Sequence, residues 1–217
     1  MSTPRPLNRY YDSYWKEGSD TYSGDHQGYA TNFRRWMAAE LAGLVRPRIL
    51  EVGCGDAAFT RDLADHAGEI TALDISAEQI ARNAQRLPAI RFQQHDVSEP
   101  LPFTAGDFDV IWCSEVLEHL FDPAFAVREM HRVLAPGGRL LVTVPYHGGL
   151  KNVLIALCRW DEHFAPTGPH IRFFTKSSLE KMVRSAGFRD IELRTCGIGR
   201  PVRDAFIATN ILLQARK

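Results

Sequence analysis

Residues 48–144 alternate between short apolar runs and helical patterns, and this alternation narrows the fold more than any other feature of the chain. Ile49-Leu50-Glu51-Val52 reads as a buried strand that breaks off at Gly53-Cys54-Gly55, with a helix following to about His66. Residues 70–73 form a second apolar run ending at Asp74, residues 90–93 a third ending near His95-Asp96, and residues 108–113 a fourth. Ser114 opens a helical stretch, and residues 139–144 form the fifth strand after Pro136-Gly137-Gly138. Ser76 and Gln79 have capping-box spacing, and Asp122-Pro123 places an N-cap before a proline at the first helical position. Strands alternating with helices predict a mostly parallel sheet covered by helices on both faces.

The two ends of the chain depart from this rhythm. Residues 31–44 place Phe33, Trp36, Met37, Leu41 and Leu44 at helical spacing, after an aromatic knot at Tyr10, Tyr11, Tyr14 and Trp15. That knot reads either as packing on a sheet edge or as a lid that excludes water from the site. Residues 149–160 look helical, Ser177 and Glu180 suggest another capping box, and two closing strands are expected near residues 191–196 and 210–215. The resulting division is an N-terminal helical or lid segment, 1–46, and a main domain, 47–217, with an insertion at about 146–174.

The glycine turn fits more than one ligand. A strand that runs into Gly53-Cys54-Gly55, with small Ala58 in the third position, lets a ligand approach the backbone at the carboxyl end of a sheet. Asp74 ends the next strand, where an acid can accept from ribose hydroxyls. A nicotinamide or flavin nucleotide, S-adenosylmethionine and a plain structural turn all remain open on this loop alone.

The flanking segments carry a resemblance. ILEVGCGDAAFT (49–60), TALDIS (71–76), FQQHDVSEPLPF (92–103), FDVIWCSEVLEHLFDP (108–123) and RVLAPGGRLLVTVP (132–145) resemble, in order and spacing, the class I S-adenosylmethionine-dependent methyltransferases with an E-x-G-x-G loop. FFTKSSLEKMVRSAGF (173–188) resembles the helix leading into that family's last strands. The resemblance implies a Rossmann-like α/β fold: a seven-stranded, mostly parallel sheet with an antiparallel last strand. It implies S-adenosylmethionine as cofactor, with Glu51, Gly53, Cys54 and Gly55 lining its methionine part. Asp74 would hold the ribose, Ile75 and Val97 would pack on the adenine, and Asp96 would accept from its amino group. Ser114 and Glu115 would lie near the sulfonium. Asp74 and Asp96 also read as turn or helix caps.

Three histidines are candidate bases: His119, His147 and His170. On a helix, Glu115, Glu118 and His119 would share one face at i, i+3 and i+4, which suits a divalent cation or a carboxylate orienting His119. This segment resembles the Glu-x-x-Glu-His of ubiquinone-pathway O-methyltransferases, but the same residues recur as packing or substrate contacts, so no metal ligand is assigned. His147, His163 and His170 follow the fifth strand with no zinc-motif spacing and no cysteine partner; Asp161 and Glu162 could orient such a base. The pairs Arg34/Arg35 and Arg200/Arg203 could meet an anionic acceptor or lie in solvent.

Charge and cysteine usage bound the partners. Lys+Arg 26 against Asp+Glu 26 gives no basic excess, which argues against nucleic acid as partner. Glu51, Asp74, Asp96 and Glu115 each fall where a strand ends, as one acid-lined edge. The cysteines, Cys54, Cys113, Cys158 and Cys196, show no C-x-x-C pair and read as reduced, mostly buried thiols. No run predicts a membrane span, and residues 1–18 have no apolar secretory core, so the expected location is the cytoplasm. The reading is methyl transfer to a small-molecule or glycan-type acceptor, a hydroxyl before a nitrogen or carbon. A nicotinamide-dependent oxidoreductase and a non-catalytic cofactor-binding module are the alternatives.

Overall fold

In the computed structural model, which describes Tyr11 and residues 27–164, 168–197 and 208–217, seven strands form one sheet. They are β1 (Arg48–Val52), β2 (Glu69–Asp74), β3 (Arg91–Gln94), β4 (Phe108–Ser114), β5 (Leu134–Pro145), β6 (Arg189–Cys196) and β7 (Asn210–Arg216). The spatial order is β3-β2-β1-β4-β5-β7-β6. The strands from β3 to β5 pair in parallel, and β7 runs antiparallel to both β5 and β6. This is the Rossmann-like sheet expected from the sequence, with its antiparallel last strand.

Apolar side chains of the central strands alternate between two cores, as a two-residue period requires. Ile49, Val110, Trp112, Leu141 and Leu212 face one side, where helix α1 (Gln27–Leu41) packs Ala30, Phe33, Trp36, Met37 and Leu41 against them. Leu50, Val52, Ile111, Cys113, Val142 and Leu213 face the other. That side is covered by α4 (Pro123–Val133) and α7 (Lys176–Ser185), through Val127, Met130, Leu179 and Val183 among others. The remaining helices are α2 (Thr60–Ala64), α3 (Ala77–Arg86), α5 (Gly149–Cys158) and α6 (Trp160–His163). Arg34, one of the arginines considered for anion binding, instead ties α1 to the layer beneath it. Its Nε lies 2.7 Å from Asp62 Oδ2 and its guanidinium donates to the Ala58 carbonyl at 3.0 Å.

Several local expectations are corrected, each by backbone conformation. The helix after β1 begins only at Thr60, because Gly55 (φ 51°) and Ala57 (φ 64°) hold the chain in left-handed turns no α-helix accommodates. The helical stretch expected from Ser114 reduces to one 3₁₀ turn, Leu117–His119, because Glu115 sits at φ 54°. The expected helix over 149–160 is interrupted at Arg159. The cap of α7 lies two residues earlier than expected, with Thr175 and Ser178 forming the reciprocal box, while Glu180 pairs with Arg184 at 2.8 Å. β5 follows α4 directly from Leu134. The N-caps at Ser76 and Asp122 are as expected. All four cysteines are free; Cys54 and Cys113 are buried, Cys196 is half-buried and Cys158 is exposed. Tyr10, Tyr14, Trp15, Arg200 and Arg203 lie outside the described residues.

Candidate cofactor and acceptor site

A cavity of about 290 Å³ opens at the carboxyl ends of β1, β2 and β4. Its wall contains every residue singled out for the cofactor: Glu51, Gly53, Cys54, Gly55, Asp74, Ile75, Asp96, Val97, Ser114 and Glu115. His119 and His170 line the same cavity.

The glycine turn is pinned from below. The amides of Gly53 and Cys54 both donate to the Leu73 carbonyl at 2.8 Å, and Gly55 N–H donates to Asp74 Oδ2 at 2.8 Å. Asn83, buried on α3, holds the Gly55 carbonyl through Nδ2 at 2.8 Å. Gly53 has φ 73°, and a Cβ there would lie 2.3 Å from Val116 Cγ2, so only glycine fits between the turn and the Glu115-Val116 corner. Asp74 also accepts from Ser76 N–H at 2.9 Å, and Asp96 accepts from Ser98 N–H at 2.9 Å. Both aspartates therefore cap turns while facing the cavity. A carboxylate offers about four acceptor sites, so capping a turn does not by itself exhaust either group.

Glu51 does the opposite. It is buried with Oε2 lacking any hydrogen-bond partner. Burial pushes its carboxyl up to about 8, with the nearby Asp74, Asp56 and Asp62 charges adding and the Thr60 hydroxyl opposing. A buried carboxyl without a donor is costly unless a ligand supplies one. The ammonium of S-adenosylmethionine is such a donor, and the small Gly53 cradle leaves room beside it. The residues present fit that group.

At the other end, residues 169–172 are fastened onto the Leu117–His119 turn. Ile171 and Arg172 N–H donate to the Glu118 carbonyl at 2.9 and 3.0 Å. His119 Nδ1 lies 3.1 Å from the Pro169 carbonyl, which can only accept, so Nδ1 carries the proton and Nε2 of the neutral ring is an acceptor. Burial lowers the His119 pKa and favours that neutral form. His170 stacks edge-on against His119 at 4.9 Å between ring centres, and Tyr11 meets the same ring at 6.1 Å.

The expected grouping of Glu115, Glu118 and His119 on one helical face is not formed. Both oxygens of Glu115 are engaged elsewhere, by Thr143 and Asn210. The side chains that converge are Glu118, His119 and His170, whose ligand atoms all lie within 4.8 Å of one another. Glu118 is buried with neither oxygen hydrogen-bonded, Oε1 lying 3.8 Å from His119 Nε2, and burial together with the Glu115 charge drives its carboxyl well up. His147, the third candidate base, is not brought into the cavity. It is buried against the rings of Phe173 (4.8 Å) and His163 (5.3 Å), where desolvation pushes it down to about 4. Sequence reading missed Asn83, Thr143 and Asn210, none of which belongs to a recognisable spacing, and it left Tyr11 undecided.

Comparison with known proteins agrees with this geometry. A family model described as a methyltransferase domain matches residues 25–193. The chain belongs to that family. A ubiquinone biosynthesis O-methyltransferase of Psychrobacter arcticus is 31% identical over 176 residues, 76% of this chain and 64% of the relative, so the chain spans under two thirds of that protein's length. Among solved structures, an S-adenosylmethionine-dependent methyltransferase from Mesorhizobium loti is 22% identical with a TM-score of 0.68, covering 87% of this chain and all (100%) of that one. The (4+2)-cyclase SpnF is 23% identical with a TM-score of 0.72, covering 100% of this chain and 97% of that one. At these identities the solved structures speak to the fold alone, and the cyclase shows that the fold by itself does not name a reaction.

Proposed function

We propose that this chain transfers the methyl group of S-adenosylmethionine to the hydroxyl of a small-molecule acceptor, in the cytoplasm and not on a nucleic acid. The observation that carries the reading is the single cavity in which the glycine turn and the Nε2 acceptor of His119 meet. S-adenosylmethionine supplies an electrophilic methyl carbon on a sulfonium. The acceptor oxygen displaces the thioether in line, so the protein's task is to align the two and take the hydroxyl proton. Glu51, the glycine turn, Asp74 and Asp96 would bind the donor. His119 would take the proton on Nε2, because its other nitrogen is committed to Pro169. Phenols, polyketide-like metabolites and sugar hydroxyls all suit that arrangement, and similarity to a ubiquinone biosynthesis O-methyltransferase favours oxygen as the acceptor atom.

Transfer of labelled methyl from S-adenosylmethionine to catechol and to a panel of small hydroxyl compounds tests the reading. His119→Ala is expected to lower kcat by about 10²–10⁴-fold with donor affinity unchanged, the range for loss of a general base. An undiminished rate in that variant removes His119 from the role. Absence of binding of both S-adenosylmethionine and S-adenosylhomocysteine by the native protein removes the whole reading.

The Glu118 oxygens, neither of them hydrogen-bonded, favour a second reading of the acceptor end. Glu118, His119 and His170 would hold a divalent cation that supplies polarisation of the acceptor hydroxyl. Activity lost with EDTA and restored by Mg²⁺ or Mn²⁺ selects this reading; activity indifferent to chelation rejects it.

A further inference from the structure

Glu115 is held with more care than its surroundings require. Thr143 Oγ1 donates to Oε1 at 2.8 Å and Asn210 Nδ2 donates to Oε2 at 3.0 Å, so each carboxylate oxygen has its own fixed donor. The Glu115 amide donates to the Thr143 carbonyl at 2.9 Å, which fixes the left-handed backbone at φ 54°. Thr143 gives its only proton to Glu115, so in its 2.8 Å contact with Ser114 Oγ it must accept. The chain of donation therefore runs from Ser114 to Thr143 to Glu115, and Ser114 presents lone pairs, not a proton, to the cavity.

This network draws on three adjacent strands. Ser114 and Thr143 are register partners across β4 and β5, and Asn210 is the partner of Pro145 across β5 and β7. Thr143 and Asn210 are themselves buried. Burial raises the Glu115 carboxyl to about 7, while the two donors aimed at it, and more weakly Lys151, favour its ionised form. The site thus holds on its cavity wall a buried carboxyl, preset with two donors, that a cation placed beside it would draw into its ionised form. Its corner faces the glycine turn closely enough that Val116 excludes any side chain at Gly53.

Methyl transfer changes the donor's charge at one atom. The S–CH₃ bond breaks with both electrons left on sulfur, the methyl carbon bonds to the acceptor oxygen, and the hydroxyl proton passes to the protein base. A sulfonium becomes a neutral thioether. We propose that Glu115, positioned by Thr143 and Asn210, distinguishes the cationic methyl donor from its neutral product and so favours exchange of spent for fresh cofactor. The proposal rests on the donor reading above and adds the residues that read the donor's charge.

Calorimetric titration of the purified protein with S-adenosylmethionine, S-adenosylhomocysteine and sinefungin, a cationic analogue that cannot transfer a methyl group, tests it without any acceptor. Glu115→Gln keeps the shape and removes the charge. It is expected to cut the preference for the cationic ligands over the homocysteine product by about tenfold, a modest share of a close charge–charge interaction. Thr143→Val and Asn210→Leu are expected to cut it by about threefold, and Thr143→Ser to restore the native ratio, since a hydroxyl is all the network needs. A purely structural role would weaken the three ligands together while the melting temperature falls. An unchanged ratio in Glu115→Gln at native melting temperature overturns the proposal. Binding of neither cofactor form by the native protein overturns the donor reading as well, so the two failures are told apart.

Discussion

The two edges of the sheet treat charge in opposite ways. At the amino-terminal edge, two ion pairs and a capping lysine hold charge in place. Arg48 meets Asp109 through its amide and its guanidinium, at 2.9 and 2.8 Å. Arg132 meets Glu129 at 2.8 Å, and Lys217 caps the Leu134 carbonyl at 2.7 Å. Hydrogen bonds to the arginines hold Asp109 and Glu129 below the usual carboxylate range. At the carboxyl edge, burial raises Glu51, Glu115 and Glu118 above it, and Glu51 and Glu118 carry oxygens without a hydrogen bond. A protein tolerates that cost where a ligand recovers it. The paired edge belongs to the fold, and the unpaired edge belongs to the chemistry.

The largest expected break in this contrast comes from Gly53→Ala. Its Cβ would collide with Val116 at a backbone angle that disfavours any side chain, so S-adenosylmethionine affinity is expected to fall at least about 100-fold, read by calorimetry, with circular dichroism unchanged in outline. Retained affinity would mean that the glycine turn does not receive the ligand.

Glu51→Gln sharpens the comparison through pH. With its carboxyl near 8, Glu51 is protonated at neutral pH, and a bound ammonium would pull that value down. Binding therefore expels a proton, so donor affinity is expected to rise from pH 6 to pH 8 and level off above, and to become flatter in the variant. The unliganded protein should show the opposite trend. The folded state holds a proton that the unfolded chain releases near 4.5, so this contribution to stability is complete below that value and is lost as pH rises through about 8. Melting temperatures of native protein and Glu51→Gln across that range check the sign, with Glu115 and Glu118 contributing in the same direction.

The smallest effect is expected at the paired edge. Asp109→Asn removes an ion pair whose partners are both about two-fifths exposed, worth about 0–1 kcal/mol in such a setting, with donor affinity untouched. Its contribution has the reverse pH sense: present above the usual carboxylate pKa and lost as pH falls through the lowered value of Asp109. A large loss of donor binding in this variant would erase the distinction between the edges.

What could be read in the sequence follows the same division. Strand ends are legible because buried parallel strands are apolar runs, so an acid or glycine in or after one is conspicuous; Glu51, Gly53 and Asp74, which line the cavity, stand out in this way. Periodicity failed at Glu115, where a helical pattern hides a left-handed residue whose conformation depends on an amide reaching the Thr143 carbonyl. Thr143, Asn210 and Asn83 carried no signal. Their roles arise from strand register and helix docking between segments distant in sequence, and a lone polar residue within an apolar strand looks like noise. His147 misled for the complementary reason: a histidine after the fifth strand suits a pocket, yet aromatic packing with Phe173 claims it.

The placement of β7 has a consequence for how the molecule opens. β7 lies between β5 and β6, so β6 has no strand neighbour among the described residues except β7, and cannot join the sheet on its own. Detachment of β7 from β5 therefore carries β6 with it, and Asn210, at the start of β7, travels with them. Amide hydrogens of β6 should therefore exchange at least as fast as those of β7, whose opening also releases Glu115. A fluctuation at the far rim of the sheet would then switch off the charge-reading corner of the cavity while the glycine turn stays folded.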